Sequence, residues 1–335
     1  MPELRQNIIT RDWVIIASDR SRRPNEFVQP GVAPRLISPY DPSCPFCPGN
    51  ESMTGSELFR DSEGSGWRVR IVGNKFPALI PDGETERRIE GIHRSMRGVG
   101  YHEVVIEHPR HDLSPALYSS DDLSRVLLAL RHRSRQLRED PRVEAVIIFK
   151  NHGQAAGTSL IHPHAQIAAT PVVPTQIRHR LEEAIRYFDD TGACVYCQTL
   201  REEVRARERV VCETPHFVAF IPYAALSPFH LWIFPRRHCS SFEDIFDSEL
   251  EDFAVILHEV LLRLYLALGN PDYNFTLRSI PAREPQRDYA HWYLALVPRV
   301  SRVAGFELGS GMFINPSVPE ESAEFLRSVT LPVQS

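Results

Sequence analysis

The sequence predicts an α+β fold of two tandem halves, each an antiparallel sheet packed with helices. Three observations predict it. A Cys-x-x-Cys pair opens the chemistry of each half, at Cys44/Cys47 and at Cys194/Cys197. Each pair precedes the same succession of extended apolar runs, one amphipathic helical stretch and a histidine-bearing strand. The landmark histidines keep step as well: His111 to His162 is a step of 51 residues and His238 to His291 one of 53. Self-similarity of this kind reads as a duplication, each copy being one supersecondary unit. The halves are expected at 1–173 and 174–335, divided where Pro171 and Pro174 interrupt regular structure.

The elements follow in order. In the first half an extended apolar run at 101–107 leads into Pro109-Arg110-His111. A helix comes next: Ser120 can cap it, Asp121 and Asp122 suit its positive end, and Leu123, Val126, Leu127 and Leu130 make one apolar face. A strand at 145–149, a glycine-containing loop at 151–159 and the run 161–168 complete the copy. In the second half an apolar stretch at 217–221 and a strand at 230–234 lead into Pro235-Arg236-Arg237-His238. A helix is expected over 248–268, stopped by Gly269 and Pro271, followed by strands at 273–277 and 289–297.

Bulk properties narrow the function classes. With 335 residues, 42% hydrophobic and 24% charged, the chain has the composition of an ordinary globular protein. A net charge of −5 gives no reason to expect a nucleic-acid or membrane partner. Nothing at the N-terminus resembles a signal peptide, and the richest apolar run, 257–268, is broken by His258, Glu259 and Arg263. A cytoplasmic location is expected. The basic stretch 131–138 is the best support for a zinc-stapled nucleic-acid-binding module, but Asp121, Asp122, Glu139 and Asp140 flank it, which reads as a solvated helix face.

Without an export signal, Cys-x-x-Cys pairs point to metal ligands or redox chemistry rather than structural disulfides. Zn²⁺ favours four ligands in a tetrahedron, and thiolates with neutral imidazoles suit it. Cys44, Cys47, His111 and His162 form one expected site; Cys194, Cys197, His238 and His291 form a second by the duplication argument. Any one histidine alone would read as an ordinary core or surface residue. Four protein ligands leave no open position, so both sites are expected to be structural. Cys212 and Cys239 read as small buried residues.

The run Ile161-His162-Pro163-His164-Ala165-Gln166-Ile167 is the most informative. Extended, it puts His162, His164 and Gln166 on one face and Ile161, Pro163, Ala165 and Ile167 on the other. Pro163 costs a ladder hydrogen bond, acceptable at a sheet edge. One histidine can serve the metal while its neighbour two positions on stays free as a nucleophile on a rigid element. Neutral imidazole attacks phosphorus well near neutral pH. Gln166 offers an amide donor, and the loop 151–159 offers Asn151, Ser159 and close backbone approach at Gly153 and Gly157.

These residues resemble the galactose-1-phosphate uridylyltransferases, a branch of the histidine-triad superfamily. The resemblance covers nearly the whole chain and implies two histidine-triad-like halves. It places Arg20 and Arg23 in the family's arginine motif, Asn74 and Lys75 in its nucleotide-contacting segment, and Glu307 at a hexose-contacting position. Asn151, Ser159, His164 and Gln166 match active-site positions, and Cys44, Cys47, His111 and His162 match the zinc ligands. The implied reaction is a ping-pong exchange. His164 takes the nucleotidyl group from UDP-glucose and passes it to galactose 1-phosphate, Gln166 holds an α-phosphate oxygen, Ser159 holds the β-phosphate, and the His162 carbonyl orients the His164 ring. The family is commonly dimeric, so a homodimer is expected. Lys75 stands where many members carry an acid, Ala165 replaces a common glycine, and the glutamine that follows the hexose-contacting glutamate has no counterpart. The segments 305–311 and 290–293, with the second Cys-x-x-Cys, look closer to the branch that includes ADP-glucose phosphorylases. Transfer of AMP from ADP-glucose to inorganic phosphate is therefore the alternative reading. A dinucleotide hydrolase would carry a third histidine where Gln166 stands.

Overall fold

The computed structural model describes residues 1–17, 24–27, 37–284 and 287–332. The first part of the chain supplies β1 (Glu3–Gln6), β2 (Trp13–Ile16), β3 (Glu57–Glu63), β4 (Gly66–Gly73), β5 (Arg87–Glu90), β6 (His93–Met96), β7 (Tyr101–Ile106), α1 (Ser120–Glu139), β8 (Ala145–His152) and β9 (His164–Thr170). Next come α2 (Thr175–Thr191), α3 (Val195–Ala206), β10 (Val210–Glu213), β11 (Phe217–Phe220), β12 (Leu231–Pro235) and α4 (Asp247–Leu268). The chain closes with β13 (Tyr273–Arg278), β14 (Tyr293–Pro298), α5 (Gly305–Ser310), β15 (Phe313–Asn315) and α6 (Pro319–Ser328).

Ten of these strands form one antiparallel sheet in the order β10-β11-β12-β14-β13-β8-β9-β7-β4-β3. Read from its two ends inward, the order is the same pattern twice. The two expected sheets are thus fused at a seam where β8 pairs β13, from His152 opposite Tyr273 to Ile148 opposite Leu277. Pairing there leaves neither copy with an open edge at its centre.

One face of the sheet packs on α1 and α4. Leu123, Val126, Leu127 and Leu130 of α1 meet Phe253, Leu257, Leu261 and Leu264 of α4 and the inward side chains Ala165, Ile167 and Ala169 of β9. Each large aliphatic side chain buried there contributes roughly 1.5–3 kcal/mol relative to exposure. The opposite face carries two smaller clusters. One gathers Cys44, Phe46 and Cys47 over Trp67, Val72, Val104 and Ile106. The other gathers Cys194, Val195 and Tyr196 over Phe220, Trp232, Phe234 and Tyr293.

Several expectations need correction. Ser119, not Ser120, caps α1, in a reciprocal box with Asp122. β9 lies between β8 and β7, so it is central rather than an edge. Pro163 is tolerated because the ladder begins at His164, one residue later. The segment after Pro174 is helical rather than a plain boundary, Pro174 sitting at the N-cap, where no intrahelical N–H is required. The last strand of the large sheet starts at Tyr293, not at 289. Among the described residues, no helix is long and apolar enough to cross a membrane.

Candidate active site

The first Cys-x-x-Cys forms a turn in which the Cys47 N–H donates to the Cys44 carbonyl at 3.2 Å, and the Asn50 amide donates to the same oxygen at 2.8 Å. The turn brings Cys44 and Cys47 against His111 and His162, four buried residues whose ligand atoms all lie within 4.8 Å of one another. Cys194, Cys197, His238 and His291 converge in the same way, Cys194 being the N-cap of α3. There His238 is exposed and Cys197 half-buried, so the second group is the more open.

The imidazoles are set for metal binding. His162 Nε2 lies 2.8 Å from the His108 carbonyl, which can only accept, so Nε2 carries the proton and the lone pair is on Nδ1. That Nδ1 is 3.6 Å from Cys47 Sγ, as is Nδ1 of His111. The second group repeats the pattern: His291 Nε2 faces the Pro235 carbonyl at 3.0 Å and its Nδ1 faces Cys197 Sγ at 3.4 Å. A backbone carbonyl that fixes the tautomer is what metal-ligating histidines require. Both groups fit a metal ion.

The same logic sets up His164. Its Nδ1 donates to the carbonyl of His162 at 2.8 Å, which leaves the lone pair on Nε2. Burial pushes His164 below the ordinary histidine value, so the ring is neutral. His164 lines a pocket of about 450 Å³ together with Phe46, Asn74, Lys75, Ser159 and Gln166, a volume suited to a nucleotide. The Phe46 ring stands edge-on to His164 at 5.4 Å.

His102 directs Gln166. The Ala78 N–H donates to His102 Nδ1 at 3.1 Å, so Nε2 holds the proton and donates to Gln166 Oε1 at 2.9 Å. The amide nitrogen of Gln166 is left free to donate into the pocket. Asn74 lies against the same imidazole, at 3.2 Å.

Not every expected residue gathers here. Asn151 does not line the pocket; its Oδ1 accepts from Asn274 Nδ2 at 2.7 Å across the seam. Glu307 caps α5 by accepting from the Ala304 N–H at 2.9 Å and does not line the pocket either. Arg20 and Arg23 lie outside the described residues. Sequence reading missed Phe46, His102 and the buried pair Lys150–Glu107, joined at 2.7 Å. A lysine closing the apolar run 145–149 was the available signal for that pair. It also missed that the second half braces the loop 151–159: Asn274 donates to the Ala156 carbonyl at 2.9 Å, and Asp272 accepts from the Ala155 N–H at 2.6 Å.

Comparison with known proteins gives the family. Residues 1–174 match the N-terminal domain of galactose-1-phosphate uridyl transferase, and residues 180–330 match its C-terminal domain. The chain belongs to the galactose-1-phosphate uridyl transferase family. It is 36% identical to the ADP-glucose phosphorylase of Arabidopsis thaliana over 335 residues, covering 98% of this chain and 93% of the relative. It is 28% identical over 343 residues to the galactose-1-phosphate uridylyltransferase of Thermotoga maritima, covering 99% of this chain and 100% of that one. The crystal structure of the Arabidopsis ADP-glucose phosphorylase with bound ADP-glucose superimposes with a TM-score of 0.85 at 34% identity, over 99% of this chain and 100% of that one. The family thus includes both a protein named a uridylyltransferase and one named an ADP-glucose phosphorylase.

Proposed function

We propose that this protein transfers a nucleoside monophosphate from a nucleotide sugar through a covalent bond to His164 Nε2. The observation that carries this is the 2.8 Å hydrogen bond from His164 Nδ1 to the His162 carbonyl, which presents an unprotonated Nε2 to the pocket. In the first half-reaction a P–N bond forms at the α-phosphorus and the bond to the sugar phosphate oxygen breaks. That oxygen leaves as part of an already stable phosphate ester, so no strong general acid is required. In the second, an acceptor oxygen forms its bond to phosphorus and His164 is released. Gln166, its oxygen occupied by His102, donates its amide to a non-bridging oxygen. Ser159 reaches the second phosphate, and Asn74 and Lys75 flank the nucleoside. Arg20 and Arg23 remain candidates for phosphate contact and Glu307 for a hexose hydroxyl.

Both four-residue groups are assigned to Zn²⁺, with 1–173 and 174–335 as two histidine-triad-like units. With all positions filled by protein ligands the ions supply stability rather than chemistry. The first fixes His162, and through its carbonyl the tautomer of His164.

The uridylyl reading, from UDP-glucose to galactose 1-phosphate, rests on the family motifs. The adenylyl reading, from ADP-glucose to inorganic phosphate, is favoured by the 36% identity to the Arabidopsis ADP-glucose phosphorylase and by the second Cys/His group. Incubation with UDP-glucose or ADP-glucose labelled in the α-phosphate, each without acceptor, tests both. One donor should leave a nucleotide on His164, and His164→Gly should lose labelling and turnover by on the order of 10³-fold or more. Absence of an adduct with either donor refutes the covalent reading.

A further inference from the structure

The second half retains the architecture of the active site without its nucleophile. Tyr196 occupies the place of Phe46 within the Cys-x-x-Cys, and Tyr293, two residues after His291, occupies the place of His164. The two rings touch at 5.8 Å, as Phe46 and His164 do at 5.4 Å. Beside them lies a cavity of about 40 Å³ between α2 and β13. It has room for a small ion, against the 450 Å³ of the pocket at His164.

Its lining is cationic. Arg180 of α2 and Arg278 of β13 both face it, and no aspartate or glutamate lines it. Arg180 Nη2 is buried without a hydrogen-bond partner. Among the described residues neither guanidinium has an ion pair or hydrogen bond, and neither the Tyr196 nor the Tyr293 hydroxyl has a partner. Arg278 lies opposite Tyr293 in the β13–β14 ladder, which brings the donors together. Burial, and then the charge of Arg180, pull Arg278 down to about 10. Elsewhere in this protein arginines drawn in from solvent are paired, as half-buried Arg133 is with Glu103 and buried Arg209 with Glu203 and Glu320. Two half-buried cations that share one cavity without a carboxylate repel each other and favour a bound anion.

We propose that this cavity binds a small tetrahedral oxyanion of the phosphate class, held by Arg180 and Arg278 with the Tyr196 and Tyr293 phenols as further donors. Planar guanidinium forks match such an ion. The anion site lies beside the place that Tyr293 fills in this copy and is independent of the chemistry at His164. The anion is either free inorganic phosphate or the phosphoryl end of a small ester.

Equilibrium dialysis of the full chain against labelled inorganic phosphate, at constant ionic strength in KCl, tests it. A saturable site is expected that weakens at least tenfold in Arg278→Gln and in Arg180→Gln, while nucleotide labelling of His164 persists. Competition by glucose 1-phosphate identifies the ester as occupant, and its failure identifies the free ion. Thermal melts keep the result interpretable. Phosphate should raise the Tm of the native chain above matched KCl, and Arg278→Gln should lose that increment while melting no lower than the native chain in KCl alone. Phosphate binding unchanged in both variants, or a lower Tm for Arg278→Gln without phosphate, overturns the assignment.

Discussion

The ammonium of Lys150 donates a 2.9 Å hydrogen bond to the backbone carbonyl of His164. The same nitrogen is paired with Glu107 at 2.7 Å, and both side chains are almost wholly buried. Behind the nucleophile, therefore, stands a charged pair that touches its backbone and not its ring. Lys150→Met should cost about 3–5 kcal/mol, because Glu107 is left charged and unpaired in the core. Adding Glu107→Gln should recover much of that stability in urea titrations. Turnover of the double variant should stay lower by on the order of tenfold, with kcat affected more than KM, because the strand end is no longer held. Full recovery of kcat would limit the pair to a structural role.

Metal removal should separate the two Cys/His groups. Native protein is expected to hold two ions per chain, and Cys44→Ser or Cys197→Ser one each, measured by elemental analysis. A chelator should strip the second group first, because His238 is exposed while all four ligands of the first are buried. Loss from the first should lower both Tm and turnover, because His162 carries the carbonyl that holds His164. Equal rates of loss from the two groups would contradict the geometry.

Gly153 has φ +84°, and a Cβ there would fall 1.8 Å from Asp272 Oδ1. Gly153→Ala should destabilise by about 1–3 kcal/mol through strain and collision. It should also lower turnover by roughly 10–100-fold, because the loop carrying Ser159 is displaced from the pocket. Steady-state kinetics alongside thermal melts would show both. Native kinetics would mean that the position of the loop does not matter.

Asp140 gives a pH signature far from the site. Arg142 holds its carboxyl well below the usual carboxylate range, and Tyr101 adds a hydrogen bond at 2.8 Å. With the folded value depressed, this contribution is complete above the unfolded value near 3.9 and is lost as pH falls from there toward the folded one. Asp140→Asn should be less stable by about 1–2 kcal/mol at pH 7. That gap should stay constant down to about pH 4.5 and narrow below about pH 4. Urea midpoints across that range would show it; a gap that widens in acid would reverse the assignment.

What could be read in the sequence was whatever has a local pattern. Cys and His at matching steps mark both four-residue groups, and alternation through 161–167 separates Ala165 and Ile167 from His164 and Gln166. The strand Glu57–Glu63 escaped because it is an edge, exposed or half-exposed throughout, with no apolar period. Helix Thr175–Thr191 carries its signal in Ile177, Leu181, Ala184 and Phe188, but Pro171 and Pro174 just before it have the look of a domain boundary. The seam was invisible in principle, because pairing between residues 148–152 and 273–277 is set by the whole sheet and by no neighbour in the chain. His102 was hidden in the same way, since Gln166 reaches it only across the β7–β9 pairing.

Asp272 and Asn274 belong to the copy without a nucleophile, yet what they grip is the loop of the copy that has one. A substitution in that stretch would therefore show its damage in the other half of the molecule. The two copies differ in their own pockets but are tied to each other at this border.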